Sequence, residues 1–117
     1  MSESINNSNL FEQTGNPAWE YVFTACNIND GNNGEEQKLV INITNLPTSE
    51  ASYRIVRTLE NQNFDYGLEQ SLVFGENTIT VASVNFSRVV RIQFNNGDIE
   101  FDSLSLNGIT KYPAPAP

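Results

Sequence analysis

Residues 89–101 read Val-Val-Arg-Ile-Gln-Phe-Asn-Asn-Gly-Asp-Ile-Glu-Phe, and this stretch decides the predicted fold. Its apolar residues alternate with polar ones on both sides of the central turn, at Val90, Ile92, Phe94, Ile99 and Phe101. Such an alternation is typical of a strand with one buried face. Asn96-Gly97 between two such strands is the sequence signature of a type I′ turn. The stretch therefore predicts a β-hairpin of two half-buried antiparallel strands.

The same alternation recurs along most of the chain. Other alternating runs begin at Trp19, Leu39, Tyr53, Leu68 and Ile79, and segments rich in Gly, Pro and Asn separate them. No window shows the period of an amphipathic helix, and a parallel sheet would need crossover helices. We therefore expect an all-β, antiparallel sandwich or barrel of about seven or eight strands.

The last predicted strand changes phase along its length. Its apolar residues Ile99 and Phe101 have odd numbers, whereas Leu104 and Leu106 have even numbers. A β-bulge at Asp102-Ser103 would keep all four side chains on the core face. The alternative is a strand that is buried on both faces at its end.

The composition excludes several functions. The chain has 117 residues, no histidine, one cysteine and a net charge of −8. Without histidine there is no catalytic triad or Cys–His dyad, and one cysteine makes no ordinary structural zinc site. We expect no enzyme activity, and no nucleic-acid partner, because phosphate contacts need clustered Lys and Arg.

The ends of the chain differ from its middle. Residues 1–15 are rich in Asn and Ser and are predicted to form an N-terminal arm, ordered only if something holds it. Residues 16–111 are predicted to form the β-sandwich domain, and residues 112–117 a Pro-rich C-terminal tail. No apolar run approaches the roughly 18 residues of a membrane span, and residues 1–10 lack a secretory signal. We expect a chain made in the cytoplasm, with no membrane partner.

One loop combines aromatic and polar side chains, the two ingredients of sugar recognition. The candidate ligand-binding residues are Asn61, Asn63, Phe64, Asp65 and Tyr66. Loops on a rigid scaffold commonly carry binding residues, although Phe64 and Tyr66 packing within the loop is an equal alternative. Trp19, Tyr21 and Phe23 alternate cleanly and are instead expected in the core.

Residues 74–106 carry a family resemblance. They contain Phe74-Gly75-Glu76-Asn77-Thr78-Ile79-Thr80-Val81, then an apolar strand, a Gly turn and a last strand with Asp102 before its final apolar residues. This pattern resembles the closing strands of jelly-roll carbohydrate-binding modules. The resemblance implies a jelly-roll-like sandwich. In some such families an acidic residue in the first strand and one in the last hold a structural calcium, which by position implies Glu20 and Asp102 here.

Two functions are therefore expected as alternatives. The first is a non-catalytic structural or interaction module that attaches to a larger assembly, such as a phage virion decoration or appendage protein. Its partner would be another protein or further copies of the chain, and it needs no cofactor, with calcium as an option. The second is a carbohydrate-binding, lectin-like module whose partner is a glycan.

Overall fold

The structure, a computed structural model, describes residues 2–15, 18–23, 37–47, 51–59, 64–81 and 87–113, with the backbone alone at residues 37, 57–59, 64, 65 and 87–90. Its eleven strands in these ranges form two antiparallel sheets. The first sheet contains β1 (Glu3–Ser4), β4 (Gln37–Asn45), β8 (Gly75–Val81), β10 (Glu100–Leu106) and β11 (Ile109–Tyr112). The second contains β2 (Phe11–Gln13), β3 (Tyr21–Phe23), β5 (Ser52–Leu59), β6 (Phe64–Tyr66), β7 (Gln70–Ser71) and β9 (Ser87–Phe94). A 3-10 turn at Ile5–Asn7 follows β1.

The strand order is that of a jelly roll. The first sheet runs β1-β10-β4-β8, with β11 also paired to β10. The second runs β2-β3-β9-β5-β6, with β7 also paired to β5. When β2, at the edge of the second sheet, is set aside together with β7 and β11, which lie off the two main paths, the remaining eight strands have the orders 1-8-3-6 and 2-7-4-5, as in a double-sheet jelly roll. The all-β antiparallel sandwich is confirmed, with eleven described strands rather than seven or eight.

A single apolar core lies between the two sheets. The second sheet supplies Phe23, Ile92 and Phe94, which are fully buried, and the first supplies residues such as Ile41 and Phe101. The Phe11 ring of the second sheet contacts the Phe101 ring of the first edge to face, with centroids 5.9 Å apart. These inward apolar side chains, supplied by both sheets, pack together and hold the sheets face to face.

The predicted bulge in the last long strand is confirmed. Phe101 pairs with Ile43 and Ser103 pairs with Asn42, so that Asp102 is the additional residue. The apolar residues on both sides of it, Ile99, Phe101, Leu104 and Leu106, are all buried. The extra residue restores the inward phase and places both Asp102 and Ser103 on the outward side.

The predicted hairpin at Asn96-Gly97 is wrong, because β9 and β10 belong to different sheets. Residues 95–99 cross from one sheet to the other, and the Ser52 backbone N–H donates to Asn95 Oδ1 at 2.8 Å. A Cβ on Gly97 would lie 2.5 Å from the Tyr21 ring. This glycine therefore makes room for an aromatic ring, and it is not among the described residues with positive φ.

The type I′ turn lies instead at a second Asn-Gly pair. Asn107 has φ of 53° and Gly108 has φ of 82°, and these two residues join Leu106 of β10 to its partner Ile109 of β11. Positive φ at both central residues is what this turn requires. The Lys38 backbone N–H donates to Asn107 Oδ1 at 2.9 Å, which attaches the turn to the neighbouring strand β4.

The boundaries predicted for the arm and the tail are also corrected. Glu3–Ser4 and Phe11–Gln13 are strands of the two sheets, and Ile5 and Phe11 are buried in the core. The apolar residues among the polar ones thus tie this segment to its own domain. At the other end, Tyr112 completes β11 and its ring lies 5.1 Å from that of Phe101, whereas residues 114–117 lie outside the described part.

Candidate functional site

The outward face of the second sheet carries an unusual set of side chains. In the register of β2, β3, β9 and β5, Glu12, Val22, Gln93 and Arg54 form one row across the sheet. The next row contains Arg91, Val56 and Tyr66. The two rows together with Trp19 are called the platform below. Because the strands fix these positions, the sheet backbone sets the spacing of the platform side chains.

Two valines of the platform are buried although they point away from the core. Val22 is 2% exposed and Val56 is 5% exposed. Longer side chains stand around them and leave an open pocket of about 280 Å³. The residues lining this pocket are Glu12, Gln13, Thr14, Val22, Val56, Tyr66, Arg91 and Gln93. The pocket therefore has an apolar floor and a polar, charged rim.

A cation held between two aromatic rings forms one side of the platform. The Arg54 guanidinium carbon lies 4.7 Å from the centre of the Trp19 ring and 4.6 Å from that of Tyr66. Arg54 Nε also donates a hydrogen bond to Gln93 Oε1 at 2.6 Å. Cation–π contacts on both rings and the hydrogen bond restrain all four side chains. The Tyr66 side chain nevertheless remains 55% exposed.

The sequence located part of this site. Tyr66 was predicted as a ligand-binding residue, and it lines the pocket. Phe64 and Asp65 are described by their backbone alone, as residues of β6 paired to Thr58 and Arg57. The predicted binding residues Asn61 and Asn63 lie outside the described residues.

Other platform residues were missed, and Trp19 was assigned wrongly to the core. It is half-buried beside Arg54 and does not belong to the buried cluster, unlike Tyr21 and Phe23. Arg54 and Arg91 lie on the outward face. The signal that could have found them is parity: Arg54 and Val56 alternate with the inward Tyr53 and Ile55, as Arg91 does with Ile92.

The two residues that the resemblance implied for calcium have different neighbours in the structure. Asp102 lies on the outward side of the first sheet, where its Oδ1 accepts a hydrogen bond from Asn42 Nδ2 at 2.7 Å. Glu20 directly precedes β3 of the second sheet and lies beside the Tyr21 hydroxyl. Within the described residues, no group of three or more His, Cys, Asp and Glu side chains is placed to hold a metal ion. The Glu20–Asp102 calcium site stays a prediction, since no contact within the described residues joins the two carboxylates.

The Tyr21 hydroxyl lies beside Glu20 and near Asp98, at one end of the sandwich. Burial raises the pKa of the Tyr21 hydroxyl above its usual value of 10.0, and the nearby carboxylates of Glu20 and Asp98 raise it further. The neutral phenol is the favoured form because a buried phenolate next to two carboxylates would be poorly solvated. Tyr21 thus donates a hydrogen bond to Glu20 as a neutral phenol, and its raised pKa is not that of an activated catalytic acid or base.

A second surface, which follows β7 near the beginning of β5, exposes apolar side chains. The segment of residues 72–75, called the Val73 loop below, leaves Val73 55% and Phe74 71% exposed. Asn77 is buried beneath it: its Oδ1 accepts from the Val73 N–H at 2.9 Å, and its Nδ2 donates to the carbonyls of Val73 and Gly75. The alternating run predicted from Leu68 does not form one buried strand face: Leu72 is buried, but Leu68 and Phe74, which have the same parity, are exposed.

Comparisons with protein-family models, with curated protein sequences and with solved structures found no match. In the described part of the chain, no helix has the length and apolar character needed to cross a membrane. The inferences that follow therefore rest on the platform and the Val73 loop themselves.

Proposed function

We propose that the chain is a non-catalytic, carbohydrate-binding module of the lectin-like kind, and that the platform binds the sugar. The observation that carries the proposal is the pocket with two buried valines as its floor, set beside the restrained stack of Trp19, Arg54 and Tyr66. A pocket with an apolar base and a few fixed polar groups is the usual form of a small-ligand site.

The chemistry of the rim suits a polyhydroxylated ligand. The exposed part of the Tyr66 ring offers an apolar surface against which the C–H groups of a sugar ring can lie. The side chains of Glu12, Gln13 and Gln93 offer acceptors and donors for hydroxyl groups. Because Arg54 already fixes Tyr66, little side-chain entropy remains to be lost when a ligand binds.

The test is a glycan array probed with labelled protein, followed by titration calorimetry on the glycans that bind. We expect Tyr66→Ala to weaken binding by roughly tenfold or more, since it removes an aromatic contact of about 1–3 kcal/mol. Phe74→Ala is the matched control, because it removes another exposed aromatic ring, that of the Val73 loop, and leaves the platform intact.

Two controls keep this test decisive. Tyr66→Ala should lower the free energy of unfolding by less than about 1 kcal/mol, because Tyr66 is mostly exposed and its main loss is one cation–π contact. A loss above about 2 kcal/mol would place the ring in a structural role instead. If no glycan binds the wild-type protein, or if Tyr66→Ala binds glycans as the wild type does, the proposal is wrong.

The second candidate function is assembly: a structural subunit that attaches to a larger particle such as a phage virion, or to further copies of the chain. The Val73 loop favours it, since Val73 and Phe74 are exposed on a segment that Asn77 holds in place. Exposed Glu69 and Glu76 flank the loop, so the charge suits a partner protein with an apolar pocket bordered by Lys or Arg. The N-terminal strands lend no support, because they pair within their own domain.

Light scattering on the full-length chain tests the assembly function in its self-association form. An oligomer that Phe74→Ser converts to a monomer would support it, while Tyr66→Ala should leave the mass unchanged. A monomeric wild-type chain, or an oligomer that Phe74→Ser does not affect, would remove the Val73 loop from any contact between copies.

A further inference from the structure

We infer that the sugar bound at the platform carries a carboxylate, and that Arg91 is the residue that recognises it. This inference rests on the proposed carbohydrate-binding function and goes beyond it by assigning a ligand class and a specificity-determining residue. The shared chemistry is a carboxylate on a sugar ring, as in uronic acids and sialic acids.

The two platform arginines differ in the contacts that their side chains make. Arg54 is engaged on all sides, by the rings of Trp19 and Tyr66 and by Gln93. Arg91 lines the pocket and is exposed, and within the described residues it makes no hydrogen bond, ion pair or ring contact. Its guanidinium donors are thus available to a ligand, and their fork geometry matches a carboxylate.

The few basic residues of the chain are unevenly distributed between the two sheets. The chain has 6 basic and 14 acidic residues, yet it places two of its basic residues, Arg54 and Arg91, on the platform. Lys38 and Lys111, the other basic residues with described side chains, belong to strands of the first sheet. An acidic protein that repels anions in general needs a local cation wherever an anionic ligand is to bind.

The two charged groups that line the pocket, Glu12 and Arg91, lie on opposite sides of it. Glu12 lies on β2 and Arg91 on β9, with β3 between them, which is two inter-strand spacings or about 9.5 Å. Arg91 also lies two residues along β9 from the row that contains Glu12, Val22 and Gln93. A ligand that spans the pocket meets acceptors for its hydroxyls at the Glu12 end and a cation at the other. The buried floor of Val22 and Val56 strengthens the ion pair between Arg91 and the ligand carboxylate, since little water reaches that pair from below.

The experiment compares matched ligands by titration calorimetry: methyl glucuronide against methyl glucoside, which differ only in carboxylate or hydroxymethyl at one carbon. N-acetylneuraminic acid serves as a second source of the carboxylate, and acetate serves as a carboxylate without a sugar. We expect the wild-type protein to bind at least one of the two acid sugars at least about tenfold more tightly than the neutral glucoside. Which of the two binds tells a uronic acid from a sialic acid.

Arg91→Gln should abolish this preference, because it should lower the affinity for the acid sugar far more than the affinity for the neutral glucoside. Lys38→Gln is the matched control, because it removes the same charge from an exposed residue of the first sheet and should keep the preference. Thermal unfolding of both variants checks that they fold, and exposed Arg91 leaves no buried gap when replaced.

The outcomes separate the inference from the function beneath it. Equal binding of acid and neutral sugars overturns the inference and leaves the carbohydrate-binding function standing. A preference that survives Arg91→Gln, or acetate that binds as tightly as the acid sugars, also overturns it. If none of these sugars and no glycan on the array binds the wild type, the inference and the proposed function fail together.

Discussion

The two outward faces of the sandwich have the same backbone geometry and very different side chains. On β8 of the first sheet, the outward residues are Glu76, Thr78 and Thr80, and all three are exposed. On the second sheet, the outward Val22 and Val56 are buried as thoroughly as core residues. Along β8 the first face therefore follows the ordinary alternation of apolar-in and polar-out, whereas the second sheet has buried apolar side chains on its outward side as well.

This difference supports placing the proposed ligand site on the second sheet. A face that only meets solvent needs nothing beyond exposed polar side chains, and the first sheet has those. The platform instead combines two valines, two aromatic rings and two arginines in a small area, with no second layer of described residues above it. The apolar core between the sheets does not include the two platform valines, which supports the proposal that the platform binds a ligand.

The largest effect is expected where both faces depend on the same core. Phe11→Ala should lower the free energy of unfolding by about 3–5 kcal/mol, because it leaves a cavity where the Phe11 ring contacts Phe23, Phe94 and Phe101. Chemical denaturation measures the loss, with exposed Asn9→Ala as the control that should cost less than about 0.5 kcal/mol. A small effect of Phe11→Ala would restore residues 1–15 as an arm.

An intermediate effect should distinguish the two outward faces directly. Val22→Ala removes two buried methyl groups and should cost about 2 kcal/mol of unfolding free energy. Thr80→Ala, the corresponding truncation on the outward face of the first sheet, should cost less than about 0.5 kcal/mol. Denaturant titration of the two variants gives the comparison, and equal costs would mean that the faces do not differ as described.

The smallest effect concerns the end of the sandwich and depends on pH. The raised pKa of Tyr21 means that the folded state favours the neutral phenol, so its contribution is complete below the usual value of 10.0. It is lost as pH rises through the higher folded-state pKa. The melting temperature of Tyr21→Phe should therefore fall less steeply above about pH 10 than that of the wild type. Parallel curves would show that Tyr21 ionises as freely as in the unfolded chain. Tyr53, whose pKa burial also raises, remains in both proteins.

The sequence predicted what depends on local patterns and missed what depends on contacts distant in the chain. The phase change around Asp102 was enough to locate the bulge, because the core face of one strand has to stay continuous. Two of the three Asn-Gly pairs of the chain, Asn96-Gly97 and Asn107-Gly108, show the limit. Asn107-Gly108 forms the type I′ turn, whereas Gly97 is glycine because the ring of Tyr21 occupies the adjacent space. Dipeptide identity alone does not separate a turn requirement from a packing requirement.

The same limit explains the site. Tyr66 was found because its loop is rich in aromatic and polar residues, a local property. Arg54 and Arg91 join it only through the register of β5, β6 and β9, and β9 is distant from the other two strands in sequence. Trp19 was assigned to the core by an alternation that begins one residue pair too early, since β3 starts at Tyr21.

The position of β1 and β11 has a consequence for the topology of the chain. Both lie along the same side of β10: Glu3 is opposite Phe101, and Tyr112 is opposite Leu104. Because both run antiparallel to β10, the end of β11 points toward the start of β1, across the bulged residues Asp102 and Ser103. A short peptide link between residues 113 and 2 would thus close the domain into a ring with its pairing unchanged. In the chain-entropy account, such a closure lowers the conformational entropy of the unfolded state and would raise the free energy of unfolding by about 4–5 kcal/mol.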